Sequence, residues 1–172
     1  IPSGSESGLK INTGFEISAM DELKLVIDFD LRKSVVERNG DYTLRPTLRM
    51  LDMKDSGTIT GTINALEVTA ANCSDTDPAT GNAVYLYEGF NATPEDMRNG
   101  NAGPVTSANV ELNVSNGNYD YVIGFVPAGD YTLAFTCQAD LDDPIANNNI
   151  AFSTTENISV TSDQQSQPTP DP

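Results

Sequence analysis

The sequence predicts an all-β protein: antiparallel β-sandwich modules in tandem, the first one incomplete. Three observations predict it. Apolar residues recur at every second position over short runs, as a half-buried strand requires. Gly and Asn clusters separate those runs. No segment longer than one turn carries a helical pattern of apolar residues.

The first elements lie in residues 1–54. Leu9-Lys10-Ile11 and Phe15-Glu16-Ile17 read as one or two short strands. Leu23, Leu25, Ile27, Phe29 and Leu31 then fall on one face, with Lys24, Asp28 and Asp30 on the other. After Asn39-Gly40 the alternation resumes in Tyr42, Leu44, Pro46, Leu48 and Met50. Two alternating runs around Asn-Gly predict a β-hairpin. Pro46 lacks an amide hydrogen, so its strand should be an edge or be broken by a bulge there.

Residues 57–161 continue in the same way. Strands are predicted at 58–63, 66–71, 83–88, 108–114, 119–125, 131–137, 150–152 and 157–161. Thr93-Pro94-Glu95-Asp96-Met97-Arg98 is the one helical signal, a single turn with Thr93 as N-cap and Pro94 in the first helical position. Residues 162–172 are polar and proline-rich and predict a disordered tail or linker.

Charge divides the chain at the same place as the turn chemistry. Residues 1–54 hold eight bases and nine acids; residues 55–172 hold sixteen acids and one base, Arg98. The net charges are −1 and −15, which together make the −16 of the whole chain. The shift falls at Asp52–Gly57, where Asp55-Ser56-Gly57 favours a turn, and it predicts a domain boundary. So acidic a surface repels phosphate backbones and anionic lipid, so no nucleic-acid or membrane-surface partner is expected. No apolar run approaches transmembrane length. The chain opens at Ile1 without an initiator Met and carries no signal peptide, which suits a processed piece of a longer protein.

The chain contains no histidine. That removes the commonest general base and the Ser–His and Cys–His nucleophile pairs, and the expectation is a protein that is not an enzyme. Ser34 and Thr136 sit near acids with nothing to activate them. Asp28 and Asp30, flanked by Lys24, Arg32 and Lys33, read as a surface charge ladder rather than a pair of catalytic carboxylates. Cys73 and Cys137 form a disulfide if the protein is exported, and are two buried thiols if it is not. Asp75 and Asp77 follow the first cysteine; Asp140, Asp142 and Asp143 follow the second. Clustered oxygen ligands suit calcium, and the same acids also suit plain solvated loops. Tyr85 with Tyr87, and Tyr119 with Tyr121, share strand faces, where they either stack on sugar rings or fill a core.

Two resemblances extend this reading. The residues Pro2-Ser3-Gly4, Gly8-Leu9-Lys10, Leu25-Val26-Ile27-Asp28-Phe29-Asp30-Leu31-Arg32-Lys33-Ser34-Val35 and Tyr42-Thr43-Leu44-Arg45-Pro46 resemble the C-terminal third of a bacterial lipoprotein domain of unknown function, over residues 1–51. That family is envelope-attached, commonly in Gram-negative bacteria, and its domain is longer. The resemblance implies that the N-terminal remainder of the same protein, or a neighbouring subunit, completes the first module. Residues 57–161 resemble the prealbumin-like, or carboxypeptidase-regulatory-like, β-sandwich. The residues that carry it are Gly57-Thr58-Ile59-Thr60-Gly61-Thr62-Ile63, Ala83-Val84-Tyr85-Leu86-Tyr87 and Phe125-Val126-Pro127-Ala128-Gly129-Asp130-Tyr131-Thr132-Leu133. Together they imply a structural or interaction module of the cell envelope or exterior, with a protein or glycan partner at the cell surface. A carbohydrate- or calcium-dependent binding module is the alternative, and a filament or adhesin subunit completed by strand addition a further one.

Overall fold

The computed structural model describes residues 22–75, 77–97 and 103–168. The strands expected at 9–11 and 15–17 lie outside the described residues. Among those described, the chain is all-β: no helix reaches seven residues.

The hairpin of the first part is present but interrupted. Strands β1 (Leu25–Phe29) and β4 (Leu48–Asp52) pair antiparallel, and so do β2 (Val35–Arg38) and β3 (Asp41–Leu44). Asn39 and Gly40 both take positive φ, the backbone that a two-residue turn of the right hand needs. Between the two ribbons, Leu31–Ser34 forms one helical turn because Asp30 caps it, its Oδ1 accepting from the Lys33 amide at 3.0 Å. Pro46 falls in the gap between β3 and β4, as a residue without an amide hydrogen must. The buried Ser34 hydroxyl donates to the Asp30 carbonyl and accepts from the Thr47 amide, and it closes that gap.

A short 3-10 turn, Met53–Asp55, leads into two four-stranded sheets. The front sheet has the order β12 (Gln165–Ser166), β5 (Ser56–Ile63), β9 (Asn118–Pro127), β8 (Glu111–Asn113). The back sheet has the order β11 (Thr155–Val160), β10 (Gly129–Thr136), β6 (Ala83–Glu88), β7 (Thr106–Asn109). All pairs are antiparallel except β12 with β5. Ile59, Tyr121 and Ile123 of the front sheet meet Val84, Leu86, Leu133, Phe135 and Ile158 of the back sheet in one buried cluster. This is a β-sandwich, built by period-two alternation on both inner faces.

Several expected elements differ. Residues 66–71 are not a strand: Ala65–Val68 is a helical turn, because Asn64 Oδ1 accepts from the Leu66 amide at 2.9 Å and caps it. The single strand expected at 108–114 is two. The chain leaves the back sheet after Asn109, turns inward at the buried Val110 and enters the front sheet at Glu111. The helical turn expected at 93–98 is absent over 93–97, and Arg98 lies outside the described residues. Its amides are taken by tertiary partners instead: Glu95 donates to the Tyr87 hydroxyl and Met97 to Asp142. Residues 150–152 run beside β10 without strand geometry. The Thr136 hydroxyl donates to the Ala151 carbonyl at 2.7 Å, and just beyond them the Ser153 amide donates to the Phe135 carbonyl and the Phe135 amide to the Thr154 carbonyl, both at 3.0 Å. The polar tail expected at 162–172 is docked in part. The Thr58 amide donates to the Gln164 carbonyl and the Asp163 amide to the Ser56 carbonyl, each at 2.9 Å. An open edge of β5 supplies those partners, and local composition does not reveal an edge.

Candidate functional site

The cysteines form a disulfide, with Cα atoms 4.9 Å apart. It joins the loop before β6 to the end of β10. The Ser74 amide donates to the Cys137 carbonyl at 3.1 Å, and the Ser74 hydroxyl reaches Asp140 Oδ1 at 2.5 Å. The two acidic loops are therefore brought together, but their carboxylates are not. Asp75 Oδ1 accepts from the Asp77 amide and its Oδ2 from the Thr80 hydroxyl. Asp77 Oδ1 accepts from the Ala79 amide, and Asp143 Oδ1 from the Ile145 amide. Each closes a local turn, the ordinary use of Asp in a loop. Asp142 points inward, away from the others. No three His, Cys, Asp or Glu side chains among the described residues are placed to hold a metal ion.

Asp142 belongs to a second buried layer. Tyr85 and Tyr87 do not face solvent, as sugar-stacking residues must. They lie on the outer face of the back sheet and are buried there with Ala83, Met97, Ala134 and Ala139. Phe152 packs edge-on against both rings, with centroids 5.5 and 6.3 Å away. The segments 90–97 and 139–152 form this cover. The Tyr85 hydroxyl donates to Asp142 Oδ2 at 2.6 Å, and the Met97 amide donates to the same carboxylate at 3.0–3.1 Å. Burial raises the carboxyl of Asp142 above its ordinary range, against the opposing pull of those hydrogen bonds. Burial, reinforced by Asp142, also raises the Tyr85 hydroxyl well above its ordinary value. The other expected pair is likewise not a stacking platform. Tyr121 lies in the sandwich core and Tyr119 is half-buried against it. Thr136 is buried, its hydroxyl donating to the Ala151 carbonyl at 2.7 Å.

The ribbons of residues 22–52 are tied to the sandwich through one helical turn. Arg32 donates to the Ala139 carbonyl at 2.9 Å and to Asn109 Oδ1. The Lys33 ammonium reaches the carbonyls of Pro104 and Val105. Burial lowers the Lys33 pKa, and the Asp30 charge works against that shift. Asp28 does not ladder with Asp30; it is bound to Arg49 across the ribbon. Among the polar residues that the ribbons expose, Lys24, Glu37, Arg38 and Asp41 included, several apolar side chains are also open. Ile27 is 59% exposed, Leu31 65% and Tyr42 72%, with Leu25 and Val35 also exposed. Each ribbon has only two strands, so its outer edges carry no strand partner among the described residues.

Sequence reasoning found the disulfide and missed the rest of this arrangement. The Asp30-to-Lys33 spacing was a legible cap signal. The pairing of Tyr85 with Asp142, across 57 residues, carries no local signal.

Residues 1–46 match the model of a family described as a domain of unknown function (DUF4382). The matched stretch includes β1, β2, β3 and the Asn39-Gly40 turn. Comparison with curated proteins and with solved structures gave no significant match.

Proposed function

We propose that this chain is a non-enzymatic interaction module of a bacterial cell-envelope or secreted protein. In this reading the 22–52 ribbons are an incomplete module. A β-strand from the N-terminal remainder of the same protein, or from a neighbouring subunit, pairs with their open edges. Residues 57–161 form a prealbumin-like sandwich that carries them, and the two units meet at Asp52–Gly57.

The observation that carries this reading is the set of exposed apolar side chains Leu25, Ile27, Val35 and Tyr42 on two-stranded ribbons with open edges, with exposed Leu31 on the turn between them. A two-stranded ribbon is marginal alone, and an apolar edge is a template for another strand. The disulfide fits an oxidising compartment. A chain without histidine lacks the commonest catalytic base.

Hydrogen exchange tests it. In the isolated chain, β1 to β4 should exchange far faster than β6 and β10. In the intact envelope protein, those same ribbon amides should become protected. Ribbon amides of the isolated monomer that are as slow as those of β10 would overturn the reading.

A further inference from the structure

Arg32, on the helical turn that ties the ribbons to the sandwich, donates to two acceptors, and one loop sets the position of both. The Ala139 carbonyl accepts from Arg32, and the Ala139 amide donates to the Gly81 carbonyl, each at 2.9 Å. Asn109 Oδ1 also accepts from Arg32, and the amide of the next residue, Val110, donates to the Asn82 carbonyl at 3.0 Å. Gly81 and Asn82 are adjacent, at the end of the loop before β6. Two anchors from distant parts of the chain therefore hang on two neighbouring carbonyls.

The same loop carries Cys73, and the disulfide to Cys137 fastens it to the end of β10. The other ties at that end are hydrogen bonds near water. The Ser74 amide and hydroxyl donate to the Cys137 carbonyl at 3.1 and 3.2 Å, and the Gln138 side chain donates to the Asn72 carbonyl. Such bonds are individually weak in net terms. Gly81 packs directly on this junction. It takes a φ of 68°, and a Cβ there would lie 2.8 Å from Ser74 Oγ and 2.9 Å from Asp140 Oδ1. A shift of the Cys73–Ser74 segment is thus passed by contact to the carbonyl that holds Ala139.

We propose that the Cys73–Cys137 disulfide is a redox latch on the ribbons: its reduction by a dithiol loosens the loop before β6, withdraws both acceptors of Arg32 and undocks the ribbons from a sandwich that stays folded. Cys73 is half-buried and Cys137 is 6% exposed, so an incoming thiolate reaches the Cys73 sulfur first. Its attack breaks the S–S bond and releases Cys137 as a thiolate. The second thiol of the reductant then attacks the reductant's own sulfur in the mixed disulfide and releases Cys73. The reductant leaves as a disulfide, two electrons poorer, and each cysteine takes up a proton. The sandwich keeps its core, because Ile59, Ile123, Leu86, Leu133 and Phe135 meet without the loop. The latch concerns how the ribbons are held and not what pairs with their edges, so it and the proposed function can fail separately.

Lys33 reports the docked state. It follows Arg32 on the same turn, is half-buried, and its ammonium reaches the Pro104 and Val105 carbonyls, whereas Lys24 on the ribbon is exposed. The test is amine acylation of the whole chain, read lysine by lysine by mass spectrometry. It is run before and after reduction with dithiothreitol, which is removed under argon before labelling. Lys33 should react about tenfold more slowly than Lys24 in the oxidised chain, and within about threefold of it after reduction. The near-ultraviolet dichroism of the buried tyrosines should persist. Arg32→Gln should speed Lys33 to the same extent in the oxidised chain, and reduction should then add nothing, because both changes break one tie. Gly81→Ala should also speed Lys33 with the disulfide intact. A Lys33 as slow after reduction as before it overturns the proposal. Loss of the tyrosine dichroism on reduction overturns it as well, because a latch must leave the sandwich standing. Neither of these outcomes depends on a variant folding.

Discussion

Asp142 shows how one side chain can organise a layer. It is buried, it accepts from Tyr85 and from the Met97 amide, and the segments 90–97 and 139–152 meet over it. Its carboxyl is raised above the ordinary range by burial. A carboxyl whose folded pKa is raised stabilises the fold fully below its unfolded pKa, and that contribution is lost as pH rises through the folded value. Asparagine does not titrate. The unfolding free energy of Asp142→Asn, relative to the parent, should therefore rise with pH from about 4 upward, by at most about 1.4 kcal/mol per pH unit, and then level off. Urea unfolding of both proteins from pH 4 to pH 7 measures this. Parallel curves would show that the charge of Asp142 costs the fold nothing.

At the scale of elements, the edge of β5 has two managers. Its inner neighbour β9 bulges: the register shifts between Gly57 and Ile59, and Phe125 takes a positive φ of 54° beside the shift. On its outer side the tail 161–166 covers it through β12. Gly57 makes that crossing possible. A Cβ there would lie 2.5 Å from the Thr161 carbonyl oxygen and 2.8 Å from that of Gln164. Backbone cannot swing aside as a side-chain tip can. Gly57→Ala should displace the tail at a cost of about 1–3 kcal/mol. The Thr58 amide, which donates to Gln164, should then lose exchange protection while β6 and β10 keep theirs. Unchanged protection at Thr58 would mean that the strand shifts to admit the methyl group. The legibility of elements followed the reach of their causes. Asn39-Gly40 announced its turn because positive φ is a local demand. The helical turn at 93–98 was announced by equally good local residues and did not form over 93–97, because Tyr87 and Asp142 took its amides.

For the molecule as a whole, two long-range terms oppose one another. The disulfide joins residues 64 apart in sequence. In the chain-entropy picture it stabilises by about 4 kcal/mol, an upper-range figure that native strain reduces. Cys73→Ala/Cys137→Ala should lower the urea midpoint accordingly, with β10 and the 69–75 loop losing protection first. An unchanged midpoint would remove the bond as a structural element. Against it stands the net charge of −16, nearly all of it in residues 55–172. Self-repulsion among exposed carboxylates weakens the compact state and is screened beyond roughly 8 Å at physiological salt. The melting temperature should therefore climb with sodium chloride from low salt to about 0.5 M, where screening reaches only a few ångströms. A flat response would mean that the turn-closing hydrogen bonds of Asp75, Asp77 and Asp143 already offset the repulsion.

Alternation, turn residues and cysteine count are properties of neighbours along the chain, and from them the sequence determined that the protein is all-β, that the hairpin turns at Asn39-Gly40 and that most of the long strands lie where they do. The caps Asp30 and Asn64 act just as locally, yet alternation there read as strand, and the helical turns at Leu31–Ser34 and Ala65–Val68 were not expected. Tertiary structure alone decided which face of each strand is covered. Period-two alternation places Tyr85 and Tyr87 on one face of β6 but does not say that segments 90–97 and 139–152 will bury that face. It marks 108–114 as extended but not that the chain changes sheets at Val110. It puts Glu67 in an expected strand at 66–71 and leaves Tyr121 either on a stacking face or in a core, and only the packing of two sheets sets both against one cavity. The physical reason is the same each time. Backbone preference is fixed within a few residues, whereas burial and hydrogen-bond partnership depend on what arrives from tens of residues away.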